Sequence, residues 1–401
     1  MTAPRHLRLA LSTLVALPVF LSAASAQDKA SDPDLDAKRS ELDQRYAIGP
    51  TPARELGYRI VWQASIGTDL KRVDVVGPDV YALDTRNRLT RLDRNTGSSV
   101  WTTTAADAND SVWGVTPGAT PVNGLAWGQN EDDRLYVTTD PVVFEFDHAT
   151  GAILGRQDLE RIPSTDVVRF RNYLVFGTRT GQIVWHQYLV GHAWRANQLR
   201  GPIVGDPILI GSSRIGAASL GGTLLMLDAK TSGRVWGDKV FDGVSATLAA
   251  GGGKVFCAGL DQYLWAFDAD RGDVAWRYFT ESKLDTPPAY FTISTSGKSE
   301  GRVLQWVENE GLVCLQADSG DTVEGKVMWR IPDARGDSVG SINDHAALWD
   351  EDAHVLRLVN VAQGSIAKTI SLPQVESIHL EDDSIFATGT DGRVIRLDPV
   401  G

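Results

Sequence analysis

The side chains in this sequence that could do chemistry are present but not gathered. Of the seven histidines only His186 and His192 fall close together, flanking one turn, and no third donor accompanies them. Zinc asks for four ligands, so the pair alone predicts no metal. The two cysteines, Cys257 and Cys314, stand 57 residues apart in different repeats and read as two buried thiols. The acidic runs Asn130-Glu131-Asp132-Asp133 and Glu381-Asp382-Asp383 read as solvated loops or turns, because calcium wants six to eight oxygens and neither run has that spacing. There is no nucleophile elbow, no phosphate loop of the G-x-x-x-x-G-K-S/T form and no two-histidine motif on a helix. The glycines of Ala250-Gly251-Gly252-Gly253 sit at a turn between strands. These residues predict no catalytic site, no metal and no cofactor.

What does recur is a unit that could hold side chains on a frame. Lys254 to Trp276 contains a small β-prone run, a turn at Gly259–Gln262, an aromatic run at Tyr263–Phe267, a turn at Asp268–Gly272 and a third run. Asp at the head of the second turn can accept bonds from turn amides, and Gly at its end can take positive φ. The same apolar-Asp-to-Gly turn appears at Asp93–Gly97, Asp147–Gly151 and Asp228–Gly233. Weaker copies are Gln187–Gly191, Gln316–Gly320 and Asn360–Gly364, and Leu397-Asp398 begins one more. The eight markers are 38 to 54 residues apart. A period of roughly 40–50 residues, with about four strands per unit, predicts an all-β, eight-bladed β-propeller of four-stranded antiparallel blades. Tyr58 to Ala64 resembles the last strand of a blade yet precedes any complete one, and the chain stops before the last blade has a fourth strand. The N-terminal strand is therefore expected to close the eighth blade, which removes two exposed edges at once. The blades are placed at 68–107, 108–161, 162–199, 200–242, 243–282, 283–335, 336–374 and 375–401 with 58–66.

Six tryptophans share one place in the repeat, early in the outer strand: Trp62, Trp101, Trp194, Trp236, Trp276 and Trp329. Leu154 and Ala367 stand near this place in the second and seventh blades. A large flat ring here should wedge between diverging sheets, a structural role.

Residues 1–26 read as a secretory signal peptide, with Arg5 and Arg8, an apolar run from Leu9 to Ala23, and Ala24-Ser25-Ala26 before Gln27. Residues 27–57 read as a polar, mobile leader or linker with a short helix over Leu35–Tyr46, and 58–401 as the propeller. The chain carries 39 Lys and Arg against 51 Asp and Glu, a net charge of −12 that becomes −14 without Arg5 and Arg8. Such an acidic protein is a poor nucleic-acid binder. No stretch after residue 26 is long and apolar enough to span a bilayer, so the expectation is a periplasmic or secreted protein.

The segments LDAKTSGRVW at 227–236, LDRNTGSSVW at 92–101 and FDADRGDVAW at 267–276 resemble the repeat of the pyrroloquinoline-quinone-like propellers. The resemblance runs from Tyr58 to Gly401. One branch of that family is the quinoprotein dehydrogenases, and the other is similar to BamB, the non-catalytic propeller of outer-membrane β-barrel assembly. The dehydrogenase branch implies a quinone, calcium and, in many members, adjacent cysteines, and this chain has no Cys-Cys pair. The BamB-like branch implies a scaffold that binds envelope proteins, with a Leu-Arg-Gly segment between the third and fourth blades meeting the barrel-forming partner. Leu199-Arg200-Gly201 stands at that place. The same residues also suit an ordinary connection built on Gly201 and Pro202. The family's second contact implies aspartates before a Thr-rich stretch in the next inter-blade loop. Asp242-Gly243-Val244-Ser245 matches it loosely, and Asp285-Thr286 matches better but one blade later. No lipid-attachment Cys follows the apolar run, a departure from the family. The alternative is a propeller that binds a quinone or another small ligand at its axial mouth, as a quinoprotein oxidoreductase would.

Overall fold

The computed structural model describes residues 33–400 apart from Thr68, 119–132, Ser296 and Asp321. The N-terminal segment 1–26 read as a signal, and most of the acidic loop at 130–133, lie outside the described residues. Eight four-stranded sheets follow one another along the chain. Seven are built from consecutive strands within 70–104, 112–158, 168–198, 208–239, 249–279, 289–331 and 337–371. The eighth combines Val375–Glu381, Ser384–Gly389 and Arg393–Pro399 with Tyr58–Ser65 from the other end of the chain. Tyr58 pairs with Pro399, Ile60 with Leu397 and Trp62 with Arg396, all antiparallel. This is the eight-bladed, terminally closed propeller expected from the repeat. The middle strands of each blade are nearly all buried, and the outer strands alternate, with patterns such as eeBeie for Ser99–Thr104 and eiBeie for Val274–Phe279. A half-buried antiparallel strand gives that alternation.

The turn before each outer strand is held by its own aspartate. Asp228 accepts the amide and hydroxyl of Thr231, both at 2.8 Å. Asp93 and Asp147 repeat the pattern with Thr96 and Thr150. In these three turns the threonine side-chain bond, then its amide, holds the carboxyl below its ordinary pKa. At Asp268 the leading cause is the Arg271 amide.

Each wedge ring reaches the next blade's turn. The indole N–H of Trp62 donates to Arg94 O, Trp101 to His148 O, Trp236 to Ala269 O, Trp276 to Ala317 O and Trp329 to Val361 O, at 2.8–2.9 Å. Beneath the ring lies the turn glycine. A Cβ on Gly97, Gly151 or Gly272 would fall 2.6 Å from Trp62, Trp101 or Trp236. These glycines are needed for close approach as well as for their positive φ. Under Trp276 the close glycine is Gly325, not the Gly320 expected from the repeat.

Trp194 departs from the set. The register pairs Arg195, not Trp194, with the third-strand residue that corresponds to the partner of Trp236. Counting from the turn glycine puts Trp194 level with Trp236, but the two glycines are not equivalent. Gly191 N bonds Gln187 O as Ser232 N, not Gly233 N, bonds Asp228 O, so Trp194 falls one residue before the wedge register and on the other face. Trp194 packs instead on Tyr173, at 5.1 Å between ring centroids, and Trp185 supplies the bond to the next blade through Ala229 O. The same one-residue offset places Gly155 and Lys368, not Leu154 and Ala367, at this register in blades 2 and 7.

The leader is also more ordered than its polarity suggested. Helix α1 spans Pro33–Gln44 and helix α2 spans Pro50–Leu56. Ile48, Ala53 and Leu56 are buried among Leu358, Ile370, Leu372 and Leu397 of blades 7 and 8. The eighth blade has no turn before its outer strand, because its third and fourth strands come from opposite chain ends. Helix α2 fills the gap. Lys368, at the wedge register of blade 7, donates to Glu55 O, Asn343 Nδ2 donates to Leu56 O and Val400 N donates to Gly57 O.

Candidate functional site

The connections that enter each blade and the turns between its second and third strands share one face of the ring. Leu220 N donates to Pro202 O, Leu260 N to Gly243 O and Leu284 N to Gly259 O, linking connection to turn from blade 3 to blade 6. Leu199, Arg200 and Asp285 all belong to this face. They do not come together. Leu199 is buried with Ile183, Ile203 and Leu225, so its side chain holds the connection in place. Arg200 is exposed. Its carbonyl accepts Ser219 Oγ at 2.7 Å and its amide donates to Thr223 Oγ1 at 3.2 Å, while its guanidinium has no partner among the described residues. Gly221 faces the Arg200 carbonyl so closely that a Cβ there would sit 1.9 Å from the oxygen. The arginine thus projects from a backbone that cannot shift.

Asp285 lies two connections away, on the wall of a cavity of about 530 Å³ that also has Lys283, Trp306, Arg335, Asp337 and Trp349. Burial, and secondarily the charge of Asp285, push the Asp337 carboxyl above its ordinary pKa, with Arg335 opposing. Between Arg200 and Asp285 stands a residue the sequence reading passed over. Phe241 is 83% exposed. It sits at the tip of a tight turn, with Gly243 N bonded to Phe241 O at 2.7 Å, Asp242 at φ +55° and Gly243 at φ +97°. Leu220, 37% exposed, packs its backbone against Gly243. The Asp261 carboxylate accepts the Tyr263 amide and the Trp265 indole N–H. Burial raises the pKa of this carboxyl against those bonds. Alongside, Tyr263 packs on Phe279 at 5.0 Å and the Arg277 guanidinium lies 5.1 Å from the Tyr263 ring centre.

A signal for Phe241 was available. Leu199-Arg200, Val240-Phe241 and Thr280-Glu281 are equivalent pairs. The first member of each donates its amide to the preceding turn, at Gly181 O, Gly222 O and Gln262 O, and is buried, while the second is exposed. The same bond in blades 1, 2, 7 and 8 is made by Ala105, Leu159, Leu372 and Ile66, followed by Ala106, Glu160, Pro373 and Gly67 respectively, so Phe241 is the one large apolar side chain in this slot among the described residues.

At the hub, a cavity of about 890 Å³ is lined by the first strands of blades 1, 7 and 8 and by Asp166. Its cations are Lys71 and Arg72, and its carboxylates are Asp74, Asp166, Asp337, Glu351, Glu376 and Glu381. Arg72 is already bonded to Asp74 at 2.8 Å and to Asp166 at 2.7 Å. Pyrroloquinoline quinone is a tricarboxylate, and a cavity with this charge surplus does not fit it. Among the described residues no three metal-ligating side chains converge for its calcium.

The model of one protein family, described as outer membrane protein assembly factor BamB, matches residues 171–400. The chain belongs to that family. Among solved structures, BamB from Moraxella catarrhalis superposes with a TM-score of 0.61 at 16% identity, covering 85% of this chain and 97% of that one. The computationally designed Ika8 protein gives a TM-score of 0.61 at 12% identity, covering 86% and 100%. At these identities the likeness is one of fold. No curated protein matches the sequence. No helix among the described residues is long and apolar enough to cross a membrane.

Proposed function

We propose that this BamB-family propeller is a non-catalytic scaffold of the cell envelope that docks a partner protein on the rim around Arg200, Leu220 and Phe241, in the manner of an outer-membrane β-barrel assembly factor. The observation that carries this reading is Phe241, a large aromatic side chain 83% exposed on a tight turn held by its own Gly243–Phe241 bond and packed on Leu220. A rigid exposed ring loses little entropy on docking and gains a large buried area. Aromatic and arginine anchors are the residues that dominate such interfaces. The unpaired Arg200 guanidinium beside it calls for an acidic group on the partner. Asp285 stands at the far side of the same rim and would meet the partner only if its footprint reached blade 6. Export by residues 1–26 would bring the propeller to the periplasm or beyond, and N-terminal sequencing of the mature chain should begin at Gln27.

The direct test is co-purification of the barrel-forming component of the assembly machinery with the tagged chain from envelope membranes. Phe241→Ala and Arg200→Glu should each abolish recovery while leaving the fold intact. Undiminished recovery by both variants would place the partner elsewhere and end this reading.

A further inference from the structure

The outer strand of blade 5, Val274–Phe279, has a second segment of chain bonded along its free edge. Arg277 N donates to Val323 O at 3.0 Å and Gly325 N donates to Arg277 O at 2.9 Å. Arg277 and Glu324 thereby form a parallel bridge, the pattern in which one residue bonds both neighbours of its partner. No other outer strand has such a bridge among the described residues.

The segment is an insertion in blade 6. In blades 1, 2, 4 and 5 the turn before the outer strand is closed by one backbone bond: Asp93 N to Ser98 O, Asp147 N to Ala152 O, Asp228 N to Gly233 O and Asp268 N to Asp273 O. Each encloses four residues. In blade 6 the equivalent bond joins Gln316 N to Lys326 O and encloses 317–325, nine residues. The start and end of this longer turn keep their usual roles, since Ala317 O accepts the Trp276 indole and Gly325 lies against the Trp276 ring. The extra length carries the chain onto the neighbouring edge and back.

The edge it covers has the sequence VAWRYF, with three aromatic residues, more than any other outer strand. Val274 and Phe279 at its ends are 43% and 49% exposed. An unpaired apolar edge is a template for another strand. The covering is partial. By the alternation of the ladder, the N–H and C=O of Phe279 point the same way as those of Arg277, and no described strand lies beside them. Val323 itself is 73% exposed; the segment meets the edge through its two backbone bonds and the contact of Gly325 with Trp276, and the side-chain bonds of Ser319 and Thr322 are within the segment.

We infer that the outer edge of blade 5 is a strand-addition surface whose partner is an extended segment of another polypeptide. The partner runs parallel to Val274–Phe279 and places apolar side chains beside Val274 and Phe279. Val323–Gly325 occupies the centre of this edge in competition with it. The cis segment itself defines the direction and register that the edge accepts. This surface adjoins the rim where Phe279 packs on Tyr263, but the inference does not rest on the rim reading.

Amide hydrogen exchange on the full chain tests it. The Arg277 amide should exchange at least about tenfold more slowly than the Phe279 amide, because only the first has a partner on the edge side. Adding a lysine-capped peptide of alternating valine and threonine should then slow Phe279 as well. In a variant with 317–325 replaced by the four-residue turn Ala-Asp-Arg-Gly, Arg277 should lose its protection. The same peptide should restore it at a concentration about tenfold lower than the intact chain requires, the competing segment being gone. Equal exchange at Arg277 and Phe279 in the intact chain would overturn the inference. So would peptide that leaves the Phe279 amide of the intact chain unprotected at saturating concentration, a result readable even if the variant fails to fold.

Discussion

Substituting Gly272 by Ala tests the wedge geometry directly, because the same blade contains its own control. Gly272 and Gly253 both have left-handed backbone, at φ +81° and +74°. An Ala forced into that region costs about 1–2 kcal/mol at either position. The two sites differ in what the new methyl meets. At Gly253 nothing lies within 4 Å. At Gly272 the methyl would fall 2.6 Å from Trp236 Cδ2 and 2.8 Å from Cε3 and Cγ. The ring cannot swing away freely, since its N–H is bonded to Ala269 O at 2.9 Å and its face stacks on Phe267 at 6.0 Å. Forcing extra atoms into such a contact adds about 1–3 kcal/mol. Gly253→Ala should therefore lose about 1–2 kcal/mol and Gly272→Ala about 2–5 kcal/mol in urea unfolding followed by tryptophan fluorescence, with matching slopes. Combining Gly272→Ala with Trp236→Leu removes the collision, and the double variant should be more stable than the sum of the singles by about 1–3 kcal/mol. Equal losses for the two glycine variants, with no coupling to Trp236, would show that the ring does not press on the turn, and the account of how blades are spaced would fail with it.

The helix clasp should be as important as any blade contact: Leu56→Ala empties a fully buried site and should cost about 2–5 kcal/mol by thermal or urea unfolding, whereas Leu42→Ala on the exposed face of α1 should cost under about 0.5 kcal/mol. Phe241→Ala should weaken partner binding by about 2 kcal/mol or more, roughly thirtyfold in Kd by titration calorimetry, and leave the unfolding midpoint unchanged, because the ring buries almost nothing in the free chain. Acid should destabilise the fold in two stages. His186 is buried, and burial, aided by the charge of His192, lowers its pKa from 6.5 to about 4. The unfolded chain then binds the extra proton first, so stability falls as pH drops from about 6.5 to 4, by about 3 kcal/mol at most for this group, and His186→Gln should flatten the urea-midpoint profile in that window. The turn carboxylates of Asp93, Asp147, Asp228 and Asp268 have lowered pKa values, so their contribution is present above the ordinary carboxylate range and is lost as pH falls through their folded values, below the histidine step. Asp228→Asn should reduce that second loss.

The ring itself was legible because each blade repeats one local problem with one local answer. Asp at the head of a turn, Gly at its end and Trp shortly after are fixed by hydrogen bonding, φ and ring thickness, and all three leave marks in the sequence. Closure by Tyr58–Ser65 was legible for the same reason, as a copy of the outer strand out of place. What failed was counting by one. Trp194 looked equivalent to Trp236 because both lie three residues after a glycine, yet Gly191 closes its turn where Ser232, one residue before Gly233, closes that of blade 4, and a strand alternates faces with every residue, so a single-residue difference exchanges core for surface. Gly320 misled in blade 6 in the same way, since the extra length of the turn moved the working glycine to 325. Helix α2 was hidden by its company: four apolar residues, Ala47, Ile48, Ala53 and Leu56, in a polar stretch carry no strong periodicity, and only the missing turn of blade 8 gives them a place to go.

The candidate site shows the limit from the other side. Arg200 could be found because a family pattern names it, and its exposure follows from its place after a buried residue at the end of an outer strand. Phe241 occupies the equivalent place, but in a sequence with eleven phenylalanines nothing in its own identity marks it as exposed. Only superposing the connections shows that the ring stands where its counterparts are charged or small: Arg200, Glu160, Glu281, Ala106, Gly67 and Pro373. A repeat protein makes such a superposition meaningful: a residue that breaks the pattern at a solvent-facing slot is not needed by the frame, since the other blades stand without it. The deviations from the repeat, Phe241 on the rim and the longer turn that reaches the edge of blade 5, are therefore where recognition should be sought, and the regular positions are where substitution should read out as stability alone.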